Sequence, residues 1–150
     1  MNDEYEANET GESQHRWRTF KEIEMDKVRT FNVIDRKYLS VLNIDKIHPL
    51  KQRKVYELVS NNDLDFIKRI WIYGSSTNNC CNVRSDVDVL VEIKEKTGMD
   101  YEDIVNAIHK NFVKSLGSDL DISILNYLDK KKQFYKNVLK TRRLVYERND

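Results

Sequence analysis

Apolar positions recur along this chain with two different periods. In FIKRIWIYG (66–74) β-branched and aromatic residues crowd together and stop at Gly74, which predicts a buried strand. SDVDVLVEI (85–93) sets Val87, Val89 and Val91 against Asp86 and Asp88, a second strand with unlike faces. DLDISILNY (119–127) alternates Leu120, Ile122 and Ile124 with Asp119, Asp121 and Ser123, a third.

Helical spacing separates these runs. PLKQRKVYELVSNND opens on Pro49, suited to a first helical turn, and places Leu50, Val55 and Leu58 roughly along one face, with Asn61-Asn62 at its end. In DYEDIVNAIHKNFVKSLG, Asp100 is the predicted cap, and Ile104, Ile108 and Phe112 fall at i, i+4 and i+8. Val105 and Leu116 widen that stripe, Gly117 stops it, and His109 falls on the helix surface. A last helix is predicted from about Asp129 to Thr141, with Phe134, Val138 and Leu139 inward, before a short strand RLVYE. The pattern implies an α/β fold: one domain with a mixed β-sheet flanked by helices over 49–150.

The first 48 residues read differently. Residues 1–16 lack periodicity and are expected to form an acidic, disordered tail. Residues 17–48 are an extension of uncertain structure, in which Trp17, Phe20, Phe31, Val33, Ile34, Tyr38, Leu39 and Leu42 alternate with many charges.

Composition narrows the class without naming it. Charged residues reach 34% and apolar ones 39%, enough for one folded domain in 150 residues. The net charge of +1 announces no polyanion binder, although bases gather in the last twenty residues. No run is long enough to span a membrane, and the start does not resemble a signal peptide. Cys80 and Cys81 are adjacent, which suits neither a disulfide framework nor a zinc site. A cytoplasmic location is the expectation, and packing is the plainer reading of the cysteines.

The chemistry gathers in the strands. Asp86 and Asp88 share one strand face, where two carboxylates raise each other's pKa. Asp121, on another strand, adds a third acid if the strands are neighbours; Asp119 is its rival, at the strand's edge. Carboxylate clusters suit hard divalent ions, which take oxygen ligands and phosphate together. Gly74-Ser75 ends the first strand, where a tight turn can offer N–H groups and a hydroxyl to phosphate.

Gly74-Ser75, ten residues, then Asp86-Val87-Asp88 is similar to the G-S-x10-D-x-D motif of the DNA polymerase beta-like nucleotidyltransferase superfamily. Its minimal, antitoxin-type members resemble this chain most in length, over residues 50–147. The resemblance implies the polymerase beta-like nucleotidyltransferase fold and two-metal transfer of a nucleoside monophosphate, AMP from ATP as first choice, with release of pyrophosphate. Asp86 and Asp88 would hold two Mg²⁺ ions and Asp121 would complete the site on the acceptor side. Gly74, Ser75 and Ser76 would cradle the triphosphate, with Arg84 serving its charge. Many minimal relatives carry an arginine after Gly-Ser and a glycine a few residues on; here Ser76-Thr77 and then NNCCNV follow.

A macromolecular acceptor is implied, since about thirty residues remain after Asp121. By the resemblance it is a HEPN-type toxin, with tRNA or a small molecule as further choices. Two other classes compete: a binding or antitoxin module whose chemistry is weak or lost, and an RNA binder acting through the basic C-terminal helix.

Overall fold

The structure, a computed structural model, describes residues 4–7, 13–19, 22, 41–118 and 120–149. Two short strands, β1 (Glu4–Ala7) and β2 (Ser13–Arg16), pair antiparallel within the stretch whose sequence lacks periodicity. The second region is a four-stranded sheet with three helices: α1 (Pro49–Ser60), β3 (Ile67–Tyr73), β4 (Val87–Ile93), α2 (Tyr101–Leu116), β5 (Leu120–Ile124), α3 (Gln133–Thr141) and β6 (Arg143–Glu147). Its strand order is β5-β4-β3-β6, with β4 and β5 parallel and the other two pairs antiparallel. The parallel pair is joined through α2, the kind of crossover that parallel strands require.

Alternation of side chains sorts the sheet into two unlike faces. Ile70, Ile72, Val87, Val89, Val91 and Val145 point to the closed face, beneath α1 and α2. The stripe expected on α2 is there: Ile104, Ile108, Phe112 and Leu116 are buried, and His109 is exposed. Each such side chain contributes about 1.5–3 kcal/mol when fully withdrawn from water. Asp100 caps α2 by accepting from the Asp103 N–H at 2.9 Å, and Gly117 ends it with φ +62°.

Two helices depart from expectation in informative ways. On α1, Val55 and Leu58 are buried as expected, but Leu50 is 48% exposed and Lys51 and Gln52 are buried instead. Positions 51, 55 and 58 are the true helical stripe, and only the charge of Lys51 hid it. The last helix begins at Gln133, four residues later than predicted. Asp129 accepts from the Lys131 N–H at 3.0 Å and starts a turn, not the helix. Val138 is buried, but Phe134 (46% exposed) and Leu139 (37%) face outward, against the expected inward pattern.

The described part of the extension packs at α1. Trp17 is buried, donates its N–H to the Asp45 carbonyl at 2.9 Å, and lies 5.2 Å from the His48 ring. Val41, Ile44 and Ile47 join the closed-face core with Val55 and Leu58. Phe20, Phe31, Val33, Ile34, Tyr38 and Leu39 lie outside the described residues.

Candidate active site

The open face of the sheet carries the acids. β3 ends at Tyr73, whose register partner on β4 is Asp88, whose partner on β5 is Asp121. Partners in register project to the same face, so Tyr73, Asp88 and Asp121 form one row across three strands. The hydroxyls of Tyr73 and Ser123 share a 3.4 Å hydrogen bond across that row. Asp86, exposed and just ahead of β4, lies two residues before Asp88 and so on the same side.

Crowding of negative charge marks Asp88. Its carboxyl is pushed up to about 6, first by burial and then by the charges of Asp121 and Asp86. The Tyr73 phenol is also raised, mainly by burial, with the two aspartates adding and the Ser123 hydrogen bond opposing. A patch that holds like charges together this way gains from a bound cation.

Gly74 turns the chain beside this row. Its φ of +72° favours glycine, and a Cβ there would overlap the Asp88 carboxylate. The following loop is held by its own side chains. Thr77 Oγ1 donates to the Gly74 carbonyl at 2.7 Å, and Asn78 Nδ2 donates to the same oxygen at 3.3 Å. Asn78 Oδ1 accepts from the Cys80 N–H at 2.8 Å, and Asn82 Oδ1 accepts from the Arg84 N–H at 2.8 Å. The unusual residues after Gly-Ser are therefore turn formers that pin the loop from within.

The nucleotide-contact candidates divide. Ser75 is partly exposed at the turn and Arg84 is exposed further along the loop. Ser76 is fully buried: its carbonyl accepts from the His48 N–H at 2.7 Å, and its hydroxyl is inside without a partner. Among the described residues no group of three or more His, Cys, Asp or Glu side chains is arranged as a metal cage. Asp119 lies outside the described residues. The donor set still fits Mg²⁺ in kind, since it is oxygen-only and anionic, with Asp88 crowded by both neighbours.

Three neighbours of the site escape sequence reasoning. Tyr73 falls in the acid row, and counting back two residues from Ser75 would have found its place at the strand end. Lys51 lies buried under the loop and donates from Nζ to the Val83 carbonyl at 3.4 Å. It also opposes the upward push of burial on the buried Cys81 thiol, and helical spacing from Val55 is its only sequence signal. Phe134, read as core, stands edge-on to Tyr73 with ring centroids 6.0 Å apart. No cue in the sequence turns it outward.

Residues 53–150 match the family model described as Polymerase beta, Nucleotidyltransferase. The chain belongs to this nucleotidyltransferase family. As in the family's fold, a small mixed sheet with helices carries the nucleotidyltransferase motif at its strand ends. The nucleotidyltransferase is similar to a solved toxin–antitoxin with AMP-PNP, at 18% identity over 64% of this chain and 73% of that one, with a TM-score of 0.48. It is similar to a structure of a tri-AMPylated Shewanella oneidensis HEPN toxin in complex with MNT antitoxin, at 15% identity over 65% and 73%, TM-score 0.48. A Sulfolobus solfataricus protein assigned as a nucleotidyltransferase matches at 19% identity over 79% and 93%, TM-score 0.40. No curated protein matches the chain. Among the described residues no helix is long and apolar enough to cross a membrane.

Proposed function

We propose that this nucleotidyltransferase moves AMP from ATP onto a hydroxyl of a macromolecular acceptor with the help of two Mg²⁺ ions. The observation that carries the reading is the register of Asp88 beside Asp121, with Asp86 two residues away and the Gly74 turn against the Asp88 carboxylate. Asp86 and Asp88 would hold the ions, and Asp121 would hold one of them on the acceptor side. Asp86 and Asp121 are exposed, which leaves their carboxylates accessible to such ions. Bound there, Mg²⁺ supplies charge neutralisation for the triphosphate and the attacking oxygen.

The chain's own residues do the rest. The turn at Gly74 and Ser75 orients the phosphates through backbone N–H groups and the Ser75 hydroxyl. The acceptor oxygen forms a bond to the α-phosphorus as the bond to pyrophosphate breaks, and Asp121 takes the acceptor's proton. Arg84, with no ion pair among the described residues, would meet the triphosphate's charge. The buried Lys51 adds positive charge beneath the loop, which lacks the arginine that many minimal relatives carry after Gly-Ser. Ser76 acts through its backbone, since its hydroxyl faces inward.

A cytoplasmic HEPN-type toxin is the favoured acceptor, in keeping with the toxin complexes among the similar structures. A tRNA end is the alternative acceptor. A binding or antitoxin module with weak chemistry is the second reading, motivated by the Ser76-Thr77 and NNCCNV residues that follow Gly-Ser. The test uses ATP labelled at the α-phosphate, Mg²⁺ and a lysate of the host. Label is expected in a protein band and is expected to fall at least about 100-fold in Asp88→Asn. Label in RNA would move the acceptor to tRNA, and no label with partner binding intact would favour the module.

A further inference from the structure

We infer that Phe134 is the stacking platform for the base of the bound nucleotide, and that it makes the site prefer purine over pyrimidine triphosphates. This rests on the nucleotide reading above and deepens it.

The placement is specific. Phe134 occupies the first turn of α3, and α3 packs against the Gly74–Thr77 turn, where the phosphates are placed. Its ring meets Tyr73 at 80°, and Tyr73 is the register partner of Asp88. A nucleotide anchored by its phosphates at that turn and row therefore has Phe134 at the edge of its reach.

The ring is also free to accept a partner. Trp71 on the same face is buried and covered by the Arg142 guanidinium, 4.6 Å from its ring centroid, and Tyr73 is buried. Phe134 keeps 46% of its surface open, although it sits on a helix whose Val138 is buried against the sheet. Lys131, Lys132 and Lys136, near Phe134 in sequence, are exposed and make no ion pair among the described residues. A phenyl ring has no hydrogen-bonding group, so it reads stacking area alone. It separates purines from pyrimidines and leaves adenine and guanine undistinguished.

The test is an equilibrium titration of the full chain with α,β-methylene-ATP and α,β-methylene-CTP in Mg²⁺, analogues that bind without transfer. The wild type is expected to bind the ATP analogue more tightly. Phe134→Ala is expected to weaken that binding about tenfold and erase the preference, while Phe134→Trp keeps both. Phe134→Leu keeps an apolar contact with Tyr73 but removes the aromatic face, so it should behave as the alanine variant while melting like the wild type. Unchanged purine binding in Phe134→Leu overturns the inference and leaves the nucleotide reading standing. Failure of the wild type to bind either analogue overturns both.

Discussion

The two faces of one sheet are built for opposite ends. The closed face joins Ile70, Ile72, Val87, Val89 and Val91 to the stripes of α1 and α2, with apolar groups meeting apolar groups. The open face, one residue along each strand, holds Asp88 and Asp121 side by side and is packed by the short helix α3 through Val138, with Leu125, Leu128 and Leu144 beside it. Burial that stabilises the first face raises the energy of the second, because it pushes the Asp88 carboxyl up to about 6. A strand that alternates between them, such as Val87–Ile93, thus carries stability and the candidate chemistry on alternate residues.

Substitutions can separate the two roles. The largest effect belongs to the closed face: Phe112→Ala should cost about 3–5 kcal/mol in chemical denaturation. The folded fraction should still transfer nucleotide, and a loss of turnover per folded molecule would break the division of labour.

Gly74→Ala lies at the boundary. The left-handed backbone should cost about 1–2 kcal/mol, and the added methyl must displace the Asp88 carboxylate. Nucleotide binding measured by titration should therefore fall more than thermal stability does. A variant that binds as well as the wild type would remove the turn from the site.

Asp88→Asn should invert the usual sign by stabilising the metal-free protein while abolishing transfer. The folded-state pKa of Asp88 lies above its ordinary value of 3.8, so folding favours the protonated form. Between about pH 4 and 6 the folded chain holds a proton that the unfolded chain has released, so stability falls as pH rises through that window. At pH 7 the substitution should gain about 1 kcal/mol, after discounting for the solvent that screens a half-exposed group. Melting curves of wild type and variant should therefore converge toward pH 4; a constant gap would refute the charge-crowding account.

The smallest effect is expected at Ser76. Its inward, unpartnered hydroxyl costs desolvation energy, so Ser76→Ala should be neutral or stabilising by up to about 1 kcal/mol, with nucleotide affinity unchanged. A clear loss of affinity would return the hydroxyl to the phosphate site.

Much of this division was legible beforehand. Alternation in DVDVLVE and DLDISI is a direct image of a sheet with unlike faces, and the Gly-Ser to Asp spacing located the turn. What stayed hidden depends on contacts that no local pattern encodes. Lys51 has the spacing of a core residue and the charge of a surface one, and its partner, the Val83 carbonyl, lies 32 positions away. Phe134 carries the composition of a core residue, yet α3 is short and turns that position outward. The three acids were expected to meet, and alternation does place them on one side.

Binding of Mn²⁺, as an observable substitute for Mg²⁺, tests the central claim about the open face most directly. Paramagnetic titration in the presence of α,β-methylene-ATP should show ions bound to the wild type. Binding should be lost in Asp88→Asn and kept in the closed-face variant Phe112→Ala under conditions where it is folded. Equal Mn²⁺ binding by wild type and Asp88→Asn would contradict the account, because the crowded carboxylates would then serve no ion.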